Sequence, residues 1–328
     1  MYAVRLHEFG PPGNLRYERT AVPVPGRGAV RVDVWASGVH LIETTLRTGR
    51  AVGPHPAPVL PVVLGGEVAG VVNAVGPDVD DSWLGRAVVG TLASHGGYAE
   101  QAVVAIDALH DLPGHLDAET AVAMVTTGAT ALGLLDIAQP APGEVALVSS
   151  AAGGVGALLV QALRRQGTVV VGLAGGPEKV RQARSSGADI AVDYRNRHWP
   201  DAVRTALGSG RHVDVVFDGV GGTWGRQAFD LLAPGGTFVL HGWASGTATR
   251  LTTDDIIARA GTVTWALGPQ LLRRAGTMHH LQARAIRAAA DGVLTPLVTR
   301  YPLSRAGDAH ADLENRRATG KVILVPQR

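Results

Sequence analysis

Val145-Ala146-Leu147-Val148-Ser149-Ser150-Ala151-Ala152-Gly153-Gly154-Val155-Gly156, running into Ala157-Leu158-Leu159-Val160-Gln161-Ala162-Leu163, decides the fold. The valine-rich opening reads as a buried strand, the small residues as a tight turn and the closing run as an apolar helix. A dinucleotide pyrophosphate needs backbone N–H donors at a helix N-terminus, glycine where a side chain would block its approach, and a small residue where the helix packs on the strand. Gly153, Gly154 and Gly156, with Val155 among them, meet these needs, and Ala151 takes the first small position. The same cluster also fits an ordinary tight turn in an α/β protein; its place between strand and helix favours the cofactor reading.

Outward from this turn, strand and helix signals alternate. Val169-Val170-Val171, a helix through Arg184, Ile190-Ala191-Val192, Val213-Asp214-Val215-Val216-Phe217, a helix through Leu232 and Thr237-Phe238-Val239-Leu240 predict a twisted parallel sheet with covering helices. The second strand continues as Gly172-Leu173-Ala174-Gly175-Gly176, without the Asp or Glu that would clamp an NAD ribose. Lys179 follows, with Arg181 nearby, as a cation for the extra phosphate of NADP; an exposed helix cation is the alternative. NADPH is therefore expected over NADH.

Up to about residue 120, short β-branched runs broken by Gly and Pro, such as Ala29–Val34 and Val68–Val72, predict a β-rich domain. From Ala118 to Ile137 the apolar spacing is helical, and Pro140, Pro142 and Gly143 then punctuate the chain. Domains are expected at 1–121, 122–268 and 269–328, the last containing two helical segments and Lys321-Val322-Ile323-Leu324-Val325. Thr262-Val263-Thr264-Trp265-Ala266-Leu267 reads as a sheet edge.

The 328 residues, 46% hydrophobic and 18% charged with 43 glycines, describe an ordered chain rich in tight turns. A net charge of +2 without a dense cationic run argues against nucleic acid. The absence of cysteine excludes disulfides, thiolate zinc sites and a cysteine nucleophile. With no signal-like start and no apolar stretch of roughly 20 residues, the expectation is a cytoplasmic protein without membrane attachment.

Six short motifs, in order, resemble the zinc-independent, zeta-crystallin-like quinone oxidoreductases of the medium-chain dehydrogenase/reductase superfamily. They are Ala36-Ser37-Gly38-Val39 after a strand, Gly65-Gly66-Glu67-Val68-Ala69-Gly70, Gly96-Gly97-Tyr98-Ala99-Glu100, Ala151–Gly156, Phe217-Asp218-Gly219-Val220-Gly221-Gly222 and Ala318-Thr319-Gly320-Lys321-Val322. The resemblance implies an α/β protein with a GroES-like β-rich catalytic domain, a Rossmann domain, and a C-terminal segment completing the first. It implies that Lys179, Tyr194 and Arg316 hold the adenosine 2′-phosphate and that Thr130, Gly153–Gly156 and Gly172 line the cofactor. Gly219-Val220 and His241-Gly242 would flank the nicotinamide, with ordinary turns as the alternative. A homodimer through the edge strand is also implied.

Zinc-dependent relatives carry His where this chain has Gly66, and His40 with Glu67 alone would make a poor zinc site, so no metal is expected. Hydride transfer from NADPH to a quinone or an α,β-unsaturated carbonyl is the implied reaction, with a small molecule as substrate. His40 stands where these reductases usually have Asn, and Thr45 where several have Tyr. His40 is a candidate acid or donor, its alternative being a bond to cofactor or backbone. Thr127 is a candidate partner of a substrate carbonyl, its alternative a helix cap; Glu67 either orients a neighbour or satisfies backbone. An enoyl-thioester reductase and a non-catalytic NADPH-binding protein remain the competing readings.

Overall fold

The computed structural model describes residues 1–53 and 55–327. The chain divides into two units, Met1–Gly128 with Gln282–Arg328, and Ala129–Leu281. The divisions fall later along the chain than Ala121 and Gly268. Each lies inside a helix, so helix-ending Pro and Gly mark element ends rather than unit edges.

The first unit opens with β1 (Tyr2–Leu6), β2 (Leu15–Arg19), β3 (Ala29–Val39), α1 (Leu41–Leu46), β4 (Val62–Val63), β5 (Glu67–Val75), β6 (Ala87–Thr91), β7 (Gln101–Ala105), β8 (Leu109–Asp111) and α2 (Ala118–Val125). Ala36–Val39, expected after a strand, is the second half of β3, because Ser37 and Ala36 pair with Val68 and Ala69 of β5. The helix expected from Ala118 to Ile137 is two, α2 and α3 (Thr127–Ala138), bent by 40°. A Cβ on Gly128 would lie 2.7 Å from Met124 Cε and 3.0 Å from Ala285 Cβ, so the bend rests on a glycine-only contact.

The second unit continues with β9 (Val145–Val148), α4 (Gly154–Arg165), β10 (Val169–Ala174), α5 (Pro177–Ser185), β11 (Ile190–Asp193), α6 (Trp199–Leu207), β12 (Val213–Asp218), α7 (Gly222–Asp230), β13 (Leu232–Leu240), α8 (Thr253–Arg259), β14 (Thr262–Trp265) and α9 (Pro269–Leu272). Its six strands are all parallel in the order β11-β10-β9-β12-β13-β14, with the switch between β9 and β12. In such sheets ligands bind outside the carboxyl ends of the strands, at that switch. Leu232, expected to close a helix, opens β13 instead; a register shift between Val213 and Val215 of β12 lets β13 carry Pro234-Gly235-Gly236 through the pairing. Its core packs Leu147, Val171, Trp199, Val216, Phe229 and Phe238.

Beyond α10 (Met278–Ala290), an additional strand β15 (Val298–Pro302) precedes α11 (Ala306–Glu314) and β16 (Lys321–Val325). β16 pairs antiparallel with β3 and parallel with β15, so the last strand completes the first unit's seven-stranded sheet. Lys321, Val322, Ile323 and Leu324 are all buried there. No single helix among the described residues is long and apolar enough to cross a membrane.

Candidate active site

In the second unit the β9–α4 turn is shaped by backbone approach. Ser150 has φ 54°, Gly153 N–H donates to Ser150 O at 2.8 Å, and Ala151 N–H reaches Leu173 O of β10 at 2.8 Å. A Cβ on Gly156 would stand 2.2 Å from Ser150 O, which makes glycine obligatory at this crossing. Gly153 is the N-cap of α4 and offers no side chain to the first turn, so N–H groups of Gly154, Val155 and Gly156 keep the helix end's affinity for an anion. Gly172 serves differently: its absent Cβ would meet Ala151 and Ala188 Cβ at 3.0 and 3.1 Å, so it lets β10 pack under the turn.

The neighbouring loops converge on the same end of the sheet. Buried Asp218 accepts from Val220 and Gly221 N–H at 2.9 and 3.0 Å and from Thr249 Oγ1 at 2.6 Å, and Gly219 N–H donates to Ser149 Oγ at 2.8 Å. A Cβ on Gly219 would lie 2.5 Å from His241 Cε1, and one on Gly242 2.9 Å from Gly219 O, so the 219–220 and 241–242 segments lie against each other. Burial lowers His241 to about 4, leaving a neutral imidazole, and its buried Nε2 has no hydrogen-bond partner among the described residues. An orphaned nitrogen of this kind costs about 1–3 kcal/mol unless a ligand satisfies it. Glycine cradle, uncapped helix end and orphaned imidazole together fit a dinucleotide.

At the end of β10 the turn Ala174-Gly175-Gly176 is overlaid by Tyr194 and Arg195. Cβ atoms on Gly175 and Gly176 would meet Tyr194 Oη at 2.8 Å and Arg195 Nη2 at 2.1 Å. Asp193 accepts from Gly176 N–H at 2.9 Å and Arg195 N–H at 3.0 Å, so this acid is engaged in holding the turn. Lys179 lies in α5 beside this turn, and Thr130 sits half-buried in α3. Arg195 escaped the sequence reading because only the folded β11–α6 connection brings it over Gly176. Arg316 belongs to the first unit, with φ 54°, while neighbouring Arg317 pairs with Asp312 at 2.6 Å.

The first unit builds a second constellation on one sheet face. The β3–β5 register, continued by one residue, puts Glu67 opposite Gly38, and the β3–β16 register puts Lys321 opposite His40. Residues two apart on a strand share a face, so the three side chains meet over Gly38, whose absent Cβ would lie 1.9 Å from Glu67 Oε1. Lys321 Nζ is 2.5 Å from Glu67 Oε1 and 3.0 Å from His40 Nε2, which is itself 3.0 Å from Glu67 Oε1. Desolvation alone would raise the Glu67 carboxyl, but its close partners His40 and Lys321 outweigh it and hold Glu67 far below the usual carboxylate range.

A second layer fixes His40 from behind. Its backbone N–H donates to Glu43 Oε2 at 2.8 Å, and the buried Tyr98 hydroxyl donates to the same carboxylate at 2.5 Å. His310 Nε2 lies 3.1 Å from that hydroxyl, and Arg47 Nη1 3.4 Å from His310 Nδ1. Arginine only donates, so Nδ1 accepts and Nε2–H donates to Tyr98. Burial and the Arg47 charge push His310 down to about 3, in keeping with this neutral tautomer. Thr127 opens α3, buried, and takes no part in the hydrogen bonds and ion pairs of His40 among the described residues.

Residues 26–114 match the model of the alcohol dehydrogenase GroES-like domain, and residues 154–281 that of the zinc-binding dehydrogenase. A quinone oxidoreductase of Pseudomonas aeruginosa is 34% identical, over 98% of this chain and 99% of its own. The chain belongs to the quinone oxidoreductase branch of the medium-chain dehydrogenase/reductase family. A 2-haloacrylate reductase of Burkholderia is 31% identical, over 99% of both chains. The crystal structure of Escherichia coli quinone oxidoreductase complexed with NADPH superposes with a TM-score of 0.87 at 30% identity, covering 99% of this chain and 100% of that one. Although one family model bears a zinc-binding name, the residues here do not fit zinc. Among the described residues no three His, Asp or Glu side chains gather closely enough to hold a metal, and the Lys321 ammonium already supplies a cation between His40 and Glu67.

Proposed function

We propose that this quinone oxidoreductase family member is an NADPH-dependent reductase of quinones or α,β-unsaturated carbonyls that works without a metal. The observation that carries the reading is the β9–α4 turn, where Gly156 passes Ser150 O too closely for any side chain and the α4 N–H groups are left uncapped. Bound NADPH supplies a hydride. Gly153–Gly156 receive the pyrophosphate, Lys179, Tyr194 and Arg195 the 2′-phosphate, and Thr130 lines the cofactor. His241 Nε2, with Gly219, Val220 and Gly242, holds the nicotinamide end. His40 supplies a proton or hydrogen bond to the developing enolate oxygen, and Thr127 is a further donor to the substrate carbonyl.

Lys179→Ala is expected to weaken NADPH by about ten- to a hundredfold, the worth of a charge-assisted bond of about 1.5–3 kcal/mol, and to leave NADH nearly unchanged. Fluorescence titration with both cofactors checks this; equal loss of both would remove Lys179 from the phosphate site.

We further propose a homodimer in which β14, the terminal strand of the second unit's sheet, pairs with its counterpart in a second copy. Light scattering should give twice the mass of one chain, and the mass of a single chain would contradict the pairing.

A further inference from the structure

We propose that Lys321 is the proton reservoir of the active site, delivering a proton through the His40 ring. This deepens the reductase reading and rests on it. The ammonium of Lys321 has only protons to offer, and among the described residues its partners are Glu67 Oε1 at 2.5 Å and His40 Nε2 at 3.0 Å. Nε2 is equally 3.0 Å from Glu67 Oε1, but that oxygen already takes the ammonium at 2.5 Å, so Nε2 accepts from Lys321 and the ring proton sits on Nδ1. Lys321 side-chain exposure is 5% and that of Glu67 is 0%, whereas His40 retains 26%. Of the three, only His40 offers a substantial surface to a substrate, so a proton held by Lys321 leaves the cluster through it.

The step balances. Hydride adds to the β-carbon of the unsaturated carbonyl, and the electron pair moves to the carbonyl oxygen as an enolate. His40 Nδ1–H gives that oxygen a proton, Nε2 takes one from Lys321 Nζ, and Lys321 is left as a neutral amine to be recharged from water. The imidazole ends neutral in its other tautomer. Glu67 is a positioning residue, keeping the ammonium on the ring and admitted to the sheet face by Gly38. The other charged and titratable groups around His40 are engaged elsewhere: Glu43 holds the His40 backbone and Tyr98, Tyr98 meets His310, and Arg47 pairs with Glu314 at 2.6 Å. Neither tyrosine nor arginine here competes as the source of the proton.

Arginine at position 321 separates relay from ion pairing, since a guanidinium keeps the charge beside Glu67 yet does not release its proton. With NADPH and 2-cyclohexenone as probes, Lys321→Arg and Lys321→Met should both lower kcat by about a hundredfold. KM and NADPH affinity should stay near the wild-type values, and the solvent deuterium isotope effect on kcat should rise. Full activity in Lys321→Arg would overturn the relay and leave Lys321 as a structural charge. Imidazole nitrogen NMR of the wild-type protein needs neither a variant nor cofactor. It should find the His40 ring proton on Nδ1; a proton on Nε2 directed at Glu67 would overturn the proposal even if both variants failed to fold. A wild type that oxidises no NADPH with any unsaturated carbonyl or quinone would remove the reductase reading and the relay with it, whereas an active wild type with an active Lys321→Arg removes the relay alone.

Discussion

Glu67→Gln is expected to lower the free energy of unfolding by about 3–5 kcal/mol, because removing one partner of a buried ion pair strands the other charge. Glu67 is 0% exposed, and its carboxylate is the counter-ion of Lys321, itself 4% exposed. Gln keeps the volume, so the loss reads out charge rather than packing. The same carboxylate makes stability depend on acid. Its folded pKa lies below the ordinary value of 4.5, so the unfolded chain binds the proton first as pH falls. The contribution of Glu67 is fully present above pH 4.5 and is lost progressively below it. Denaturant unfolding of the wild type and Glu67→Gln at neutral pH measures the difference, and their stabilities should converge as the pH drops below that value. A neutral-pH difference under 1 kcal/mol would mean that the carboxylate is not the partner of a buried ammonium.

Gly156→Val should be the most damaging single change to cofactor binding. Its Cβ would press 2.2 Å from the Ser150 carbonyl and 2.9 Å from the Ser150 carbonyl carbon, atoms of backbone that have no rotamer to move to. The turn must open, at a cost of about 1–3 kcal/mol in stability, and the α4 N–H groups lose their aim. NADPH and NADH affinities should fall together by more than about tenfold, or about 1.4 kcal/mol, in contrast to the selective loss expected for Lys179→Ala. Calorimetric titration with both cofactors, beside a thermal melt, distinguishes the two. Unchanged NADPH affinity in a folded Gly156→Val protein would remove this turn from the cofactor site.

Features governed by local rules were legible in the sequence. A valine run, a glycine turn and an apolar helix at 145–163 define β9 and α4, because strand, turn and helix each leave a pattern within a few residues. What lay hidden depends on strands far apart in the chain. Glu67 was recognised only as a possible orienting group and Lys321 only as part of a motif. Their meeting with His40 requires β5 and β16 to flank β3 in a register that sequence pattern does not supply. Tyr98 likewise entered only as part of a motif and His310 not at all, the two being joined across a separation of 212 residues. The misplaced end of the helix before β13 has a more local cause: Pro234-Gly235-Gly236 reads as a loop, and only the register shift against β12 makes it strand.

The most direct test of the central claim is the loss of nicotinamide absorbance when the purified protein meets NADPH or NADH with quinones, simple enones and enoyl thioesters. NADPH oxidation by quinones or enones, with NADH much poorer, is the result predicted by the glycine cradle, the absence of an acid among the closing residues of β10 itself and the His40 cluster. Demonstrated NADPH binding with no oxidation across all three substrate classes would contradict it.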